Sequence, residues 1–142
     1  MSYLIDTNVI SEVRKGRNAH PAVAHWWEGV EDNALWLSAL VIGEIRQGVE
    51  RARRRDPRQA QALEAWLQAV TTEFNDRVLP VNSDVAETWG RLNGSRPLPV
   101  IDALLAATAL VNDLTLVTRN VEDIEGTGVA VLNPWIHRSM GA

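Results

Sequence analysis

The sequence contains no cysteine, and this absence removes several kinds of site at once. Without thiols there is no disulfide framework, no zinc site built on thiolates and no cysteine nucleophile. The sequence also lacks an apolar run long enough to cross a bilayer, and residues 1–6 lack the basic and apolar segments of a signal peptide. We therefore expect a cytoplasmic protein whose residues 1–142 form a single domain with a full hydrophobic core.

Positive charge is in the minority, because the net charge is −4 and Lys15 is the only lysine. A protein that coats nucleic acid without sequence preference is usually basic, so the charge balance argues against that class. The arginines are nevertheless unevenly distributed. One short stretch contains Arg51, Arg53, Arg54, Arg55 and Arg58. This stretch is either a solvated helix face or an edge that contacts phosphate or a partner protein.

Short apolar runs alternate along the chain with segments of helical spacing. The predicted strands are residues 3–5, 35–37, 78–81, 114–117 and 129–132. The predicted helices follow caps at Thr7 or Asn8, at Ser38 and at Ser83-Asp84, or begin at Pro21, at residue 59 and at residue 100. The two helices that begin near residues 39 and 59 are predicted to form a helical hairpin. Short strands separated by helices predict a layered α/β fold with a parallel sheet, in which ligands bind beyond the carboxyl ends of the strands.

Three of the 18 acidic residues lie next to apolar segments, so a charge that simply faces water does not account for them. Asp6 directly follows the first strand, Glu44 lies among apolar residues of a helix, and Asp102 lies one turn into an apolar helix. Two of them have simple structural explanations, because Asp6 can cap a helix and Asp102 gains from the helix dipole. A buried Glu44 would need a partner, so its structural explanation is a salt bridge to Arg46 or Arg119.

The three acids explain one another if they converge in the folded chain. Packed together without a cation, carboxylates repel and raise one another's pKa values. Mg²⁺ removes this repulsion, since it prefers hard oxygen ligands and keeps several waters in its octahedral shell. Such a cluster can hold a phosphodiester, activate a water and stabilise the leaving oxygen. Histidine is not needed for this chemistry, and His20, His25 and His137 have no ligand-like spacing.

Four segments carry a likeness to a known family, in order along essentially the whole chain: residues 3–12 (YLIDTNVISE), 37–45, 99–107 and 116–123. Together they resemble the PIN-domain family, and within it the VapC-type toxins of bacterial toxin–antitoxin systems. The resemblance implies a three-layer α/β/α domain with a central, mainly parallel sheet of about five short strands. It also implies Mg²⁺- or Mn²⁺-dependent endoribonuclease activity, a homodimer, a small cognate antitoxin, and contact with DNA only through that antitoxin.

The resemblance also implies which residues form the site. The first three acidic positions of the family match Asp6, Glu44 and Asp102. A fourth acidic position falls in the segment around Asn120 and Asp123. Many family members have an acid where this chain has the uncharged Asn120, so we expect Asp123 to be the fourth carboxylate. We therefore predict that these four acids are the catalytic, metal-binding set.

Auxiliary roles are expected for the polar residues next to the acids. Asn8 and Thr118 are predicted to orient a ligand or a water, and Arg119 to contact phosphate. Asn120 stays an alternative for the fourth position of the site.

Two other classes of function stay open at the level of sequence. One is a metal-dependent phosphatase with Asp6 as its nucleophile, although such enzymes commonly carry a second aspartate two residues further on, where this chain has Asn8. The other is a non-catalytic PIN-like partner in a DNA-binding repressor complex. The intact set of three costly acids disfavours this second class.

Overall fold

The computed structural model describes residues 1–94 and 96–136, and within them five strands and six α-helices alternate. The strands are β1 (Tyr3–Ile5), β2 (Leu35–Ser38), β3 (Val78–Leu79), β4 (Thr115–Val117) and β5 (Val131–Leu132). The helices are α1 (Thr7–Arg14), α2 (Pro21–Glu28), α3 (Ala39–Arg55), α4 (Pro57–Glu73), α5 (Ser83–Leu92) and α6 (Val100–Val111). Every predicted strand and helix is present and in the predicted order. His137 lies outside the described residues.

The ends of several elements differ from the prediction. Strand β3 ends at Leu79 because Pro80 has no backbone N–H to donate to a neighbouring strand. The sequence offered Asp6, Thr7 or Asn8 as the cap of α1 and Ser83-Asp84 as the cap of α5. The side chain of Asp6 caps α1, and Asn82 caps α5 by accepting from the backbone N–H of Val85 at 3.1 Å.

All neighbouring strands are parallel, and their order is β3-β2-β1-β4-β5. The chain therefore runs outward from β1 to β3, returns past β1 to β4 and continues outward to β5. Because connections between parallel strands are right-handed, the return connection places α5 and α6 on the face opposite to α1–α4. The predicted three-layer α/β/α arrangement is confirmed.

The core lies between the sheet and these two helical layers. Leu4 and Ile5 of β1 are fully buried, as are Ala103, Ala106 and Ala107 of α6. Alanine side chains let a helix approach a sheet closely, so the first turn of α6 is held near the central strands. In the described part of the chain, no helix is both long and apolar enough to cross a membrane.

Helices α3 and α4 form the predicted hairpin, which is connected at a single residue. The side chain of Asp56 accepts from the backbone N–H groups of Arg58 and Gln59 at 3.2 and 3.3 Å and so caps α4. Pro57 occupies the first position of α4, where its missing N–H costs no hydrogen bond.

Candidate active site

The carboxyl ends of β1 and β4 meet at the centre of the sheet, because these strands are parallel neighbours with Ile5 opposite Val117. Asp6 follows β1, and its backbone N–H donates to the carbonyl of Val117 at 3.0 Å. Thr118 follows β4 in the same way. From this point the strand order runs outward to β3 on one side and to β5 on the other, so the direction of the chain connections reverses here. In open parallel sheets ligands bind at such a switch point.

Asp6 is a buried carboxylate whose two oxygens are both hydrogen-bonded. It is 5% exposed, Oδ1 accepts from the backbone N–H of Thr7 at 2.7 Å, and Oδ2 accepts from the Thr118 hydroxyl at 2.7 Å. Thr118 Oγ1 accepts in turn from the backbone N–H of Asn120 at 3.0 Å, so its own proton is directed at Asp6. Burial raises the pKa of Asp6 from 3.8 to about 6, and the hydrogen bonds from Thr118 and Thr7 oppose that rise.

Asn8 connects the segment after β1 to the segment after β4. Its Nδ2 lies 3.4 Å from both Asp6 Oδ2 and Thr118 Oγ1, and its Oδ1 accepts from the backbone N–H of Arg119 at 3.4 Å. The guanidinium of Arg119 lies 4.9 Å from the ring centroid of Trp135. Stacking on an aromatic ring positions a guanidinium without neutralising its charge, so Arg119 keeps a positive charge in the segment that follows β4.

Glu44 of α3 is connected to Asp6 through Thr7, which the sequence marks only as a possible helix cap. The hydroxyl of Thr7 donates to Glu44 Oε1 at 2.6 Å, while its backbone N–H donates to Asp6. Thr7 therefore bridges two acids through its own two donors. The position beside Asp6 in the first motif was the available signal, but only the folded chain shows which atoms Thr7 contacts.

The salt bridge considered for Glu44 is absent from the described residues. Arg46 instead forms two hydrogen bonds with Glu64 at 2.8 and 2.6 Å, and Arg119 stacks on Trp135. Glu44 is half-buried rather than buried, because it lies beside an open groove. The structural explanation by ion pairing is therefore wrong for these two arginines.

Asp102 lies in the first turn of α6 and is half-buried. Burial raises its pKa, the hydrogen-bonding side chain of Asn120 lowers it, and the nearby carboxylate of Asp123 raises it. Both candidates for the fourth position therefore lie beside Asp102. Asp123 is exposed on the 3₁₀ helix Val121–Ile124, where the buried side chain of Ile124 anchors the segment.

The four acids form one electrostatic cluster. Asp102 and Glu44 each raise the pKa of Asp6, and Asp123 and Glu44 each raise the pKa of Asp102. Across residues 1–94 and 96–136, none of the four makes a salt bridge with a cationic side chain. In the same residues, no three acidic or histidine side chains stand close enough to surround one metal ion by themselves. The cluster is thus a set of mutually repelling carboxylates with room between them.

Comparison with known proteins identifies the family to which this chain belongs. The PIN domain family model matches residues 3–125, a range that contains all four acids. The chain belongs to the PIN domain family. The PIN fold and the predicted family resemblance are confirmed by this match. PIN-domain ribonucleases generally use divalent metal ions.

Two relatives and one solved structure match this PIN-domain chain over nearly its whole length. Toxin FitB of Neisseria gonorrhoeae is 31% identical over 138 residues, which cover 93% of this chain and 97% of FitB. VapC ribonuclease Y4jK of Sinorhizobium fredii is 29% identical over 140 residues and covers 93% of this chain and 96% of its own. A chain in the crystal structure of FitAcB from Neisseria gonorrhoeae superposes with a TM-score of 0.86 at 30% identity, covering 95% of this chain and 99% of that one.

The raised pKa of Asp6 predicts how the stability of the metal-free protein depends on pH. In the folded protein the Asp6 carboxyl keeps its proton up to about pH 6. In the unfolded chain the same carboxyl loses its proton near pH 3.8. Unfolding between these values releases a proton, so the free energy of unfolding falls as pH rises through this window. The fall attributable to Asp6 is about 3 kcal/mol and is complete above the folded-state pKa.

Asp6→Asn is the matched variant for this test, because asparagine keeps a cap oxygen for Thr7 but does not ionise. Denaturant unfolding in chelator should show a steeper loss of stability between pH 4 and 7 in the wild-type protein than in this variant. A difference between the two proteins that stays constant with pH would contradict the burial of an ionising Asp6.

Proposed function

We propose that this protein is a metal-dependent endoribonuclease, the toxin of a toxin–antitoxin pair, which hydrolyses RNA phosphodiester bonds at the acidic cluster. The observation that supports this proposal most is the cluster itself. Asp6, Glu44, Asp102 and Asp123 are coupled through space, and no cationic side chain of the described residues neutralises them. The ribonuclease and toxin names of two PIN-domain relatives support the same reaction.

The donor set fits Mg²⁺, with Mn²⁺ as the alternative. All four candidate ligands offer hard carboxylate oxygens, and a divalent cation removes the repulsion that raises the pKa values of Asp6 and Asp102. Because no three acids of the described residues surround one point, water would complete the shell of a bound ion, as is usual for Mg²⁺. Bound there, the ion would supply a polarised phosphate and an activated water.

The residues of the chain fix where that chemistry takes place. Thr118 and Thr7 hold the two oxygens of Asp6, and the Thr7 hydroxyl ties Glu44 to the same point. Asn120 supports Asp102 from the segment after β4. Side chains that are already fixed by hydrogen bonds lose little further conformational freedom when substrate binds. This lowers the free energy needed to reach the transition state. Arg119 offers its guanidinium to a phosphate at the edge of this cluster.

The geometry disfavours the phosphatase with an aspartyl nucleophile. Both oxygens of Asp6 accept short hydrogen bonds and the residue is only 5% exposed, which restricts the in-line approach of a phosphorus atom to either oxygen. The test is direct, because incubation with a phosphoryl donor should leave the mass of Asp6-containing peptides unchanged.

Cleavage of RNA by the purified protein tests the proposed function. We expect products from total RNA with Mg²⁺ or Mn²⁺, and none when a chelator is added in excess of the metal. Restoring Mg²⁺ after the chelator should restore cleavage, which separates metal dependence from denaturation. Cleavage that persists in chelator would overturn the metal-dependent mechanism. A metal-loaded, folded protein that cuts no RNA would overturn the ribonuclease itself.

The partners proposed for this chain follow from the same site. An unneutralised acidic cluster is a suitable target for a basic side chain, so we propose that a small antitoxin blocks it and links the complex to DNA. Self-association into a homodimer in the cytoplasm is part of this proposal. Expressed alone in a bacterial host, the protein should arrest growth, and co-expression of a small neighbouring gene product should relieve the arrest. Unimpaired growth, with folded and metal-competent protein verified in the cells, would contradict the toxin assignment.

A further inference from the structure

Helix α3 connects the acidic cluster to the arginine-rich stretch along one of its faces. Glu44, Gln47, Arg51 and Arg54 follow one another at spacings of three, four and three residues, which places them on the same side of a helix. At a rise of about 1.5 Å per residue, Arg51 and Arg54 lie about 10 and 15 Å along the helix axis from Glu44. The three residues beyond Glu44 are exposed.

Two open grooves follow this face and meet at Gln47. The first groove contains Glu44 and is lined by Ala39, Leu40, Gly43, Glu44, Gln47, Val81 and Ile101. The second is lined by Arg46, Gln47, Glu50, Arg51 and Arg54. Because Gln47 belongs to both, a ligand held at Glu44 can continue along α3 without leaving the surface.

The second groove is positively charged, although the whole chain has a net charge of −4. Arg46 and Arg53 are occupied by Glu50 and Glu64, so these four residues balance one another. In residues 1–94 and 96–136, neither Arg51 nor Arg54 makes an ion pair. Free guanidinium groups in an exposed groove bind phosphate oxygens well, because they offer several N–H donors in a fixed plane.

We propose that this face of α3, formed by Gln47, Arg51 and Arg54, binds the backbone of the RNA strand on one side of the cut. The inference rests on the proposed ribonuclease function, since it needs a phosphodiester at Glu44. Successive phosphates of a stacked strand lie about 3.4 Å apart along the axis, so Arg51 and Arg54 reach phosphates roughly three and four nucleotides from the cluster. An RNA strand can contact both grooves, because its backbone supplies one phosphate to the metal site at Glu44 and further phosphates to Arg51 and Arg54.

A purely structural role explains less of this arrangement. Basic residues in the last turn of a helix are stabilised by its dipole, and this accounts for Arg54 together with Arg53 and Arg55. Arg51 lies before that last turn, and it lines the same groove as Arg54. The continuity of the groove with the acidic cluster is not explained by helix capping.

The test measures RNA binding and its salt dependence by fluorescence anisotropy. The probe is a labelled random-sequence RNA of about 12 nucleotides, within the site sizes usual for single-strand binders. Every protein carries Asp102→Asn so that the probe is not cut. The double variant Arg51→Gln/Arg54→Gln is compared with Arg17→Gln, a control at an exposed arginine of the segment Gly16–Asn18 that lines neither groove.

We expect the double variant to bind about tenfold or more weakly at low salt. Its plot of log Kd against log salt concentration should be shallower by about 1.4, because each lost phosphate contact on a single strand contributes about 0.7. Arg51→Lys/Arg54→Lys keeps both charges and should keep the slope, which excludes misfolding as the cause. Arg17→Gln should leave the slope unchanged.

The possible failures are distinguishable. If the wild-type protein cuts RNA but the double variant keeps its salt slope, the α3 face does not bind RNA. If that slope is kept while binding of the co-expressed antitoxin is lost, the face binds an acidic protein segment instead, and the inference is overturned. If Arg17→Gln lowers the slope equally, the effect is one of overall charge. Failure of the wild-type protein to cut any RNA bears on the proposed function alone.

Discussion

Asp6→Asn is expected to reduce RNA cleavage by about a thousandfold or more, which corresponds to roughly 4 kcal/mol of lost transition-state stabilisation. The substitution removes the charge at the centre of the cluster while keeping an oxygen for the Thr7 backbone N–H. Asp102→Asn and Glu44→Gln should have effects of the same order, because each removes one carboxylate from the proposed metal site. The measurement is the rate of cleavage of a labelled RNA at saturating Mg²⁺.

The matched control for these variants is Asp84→Asn. Asp84 lies in the first turn of α5, as Asp102 lies in the first turn of α6, but it is exposed and outside the cluster. It should therefore lose some helix-dipole stabilisation and keep its cleavage rate. Loss of cleavage through unfolding is not expected for Asp6→Asn, because removing a buried charge stabilises the metal-free protein at neutral pH. Full activity in any of the three acid variants would remove that residue from the site.

Asp123→Asn is expected to lower cleavage by about ten- to a thousandfold, a loss of roughly 1.4–4 kcal/mol. Asp123 is coupled electrostatically to Asp102, and the buried Ile124 fixes the short helix that carries it. Because Asp123 is exposed, its effect should be smaller than that of the buried Asp6. The comparison needs the same labelled RNA and the same Mg²⁺ concentration.

Two neighbours of Asp123 provide the controls. Glu122 carries the same charge in the same 3₁₀ helix, so Glu122→Gln should change cleavage little if position matters rather than total charge. Asn120→Ala removes the neutral side chain that supports Asp102. Should Asn120→Ala disable the enzyme while Asp123→Asn remains active, Asn120 and not Asp123 is the fourth position of the site.

The sequence was sufficient to predict the elements of the fold. Period-two and period-3.6 patterns of apolar residues report which segments are strands and helices, and these patterns are local. Element ends were predicted less well, since a cap depends on one side-chain rotamer. Asp6, which the sequence offered as one possible cap, caps α1, whereas Asn82 rather than the predicted Ser83-Asp84 caps α5.

The sequence also singled out Asp6, Glu44 and Asp102 through the cost of placing a charge among apolar residues. Their family roles came from the resemblance, and those roles stay predictions until the variants are measured. The fourth position was left between Asn120 and Asp123. The structure places both residues beside Asp102, where Asn120 lowers the pKa of Asp102 and Asp123 raises it. The two roles can therefore be tested separately.

Only the tertiary structure decided how the acids are held together. The hydroxyl of Thr118 meets Asp6 across 112 residues of sequence, and the hydroxyl of Thr7 meets Glu44 across 37. Such contacts depend on strand order and register, which place the ends of β1 and β4 side by side and bring the first turn of α1 to α3. Local patterns specify which faces are buried, whereas the pairing of distant side chains is fixed by the packing of the whole sheet and its helices.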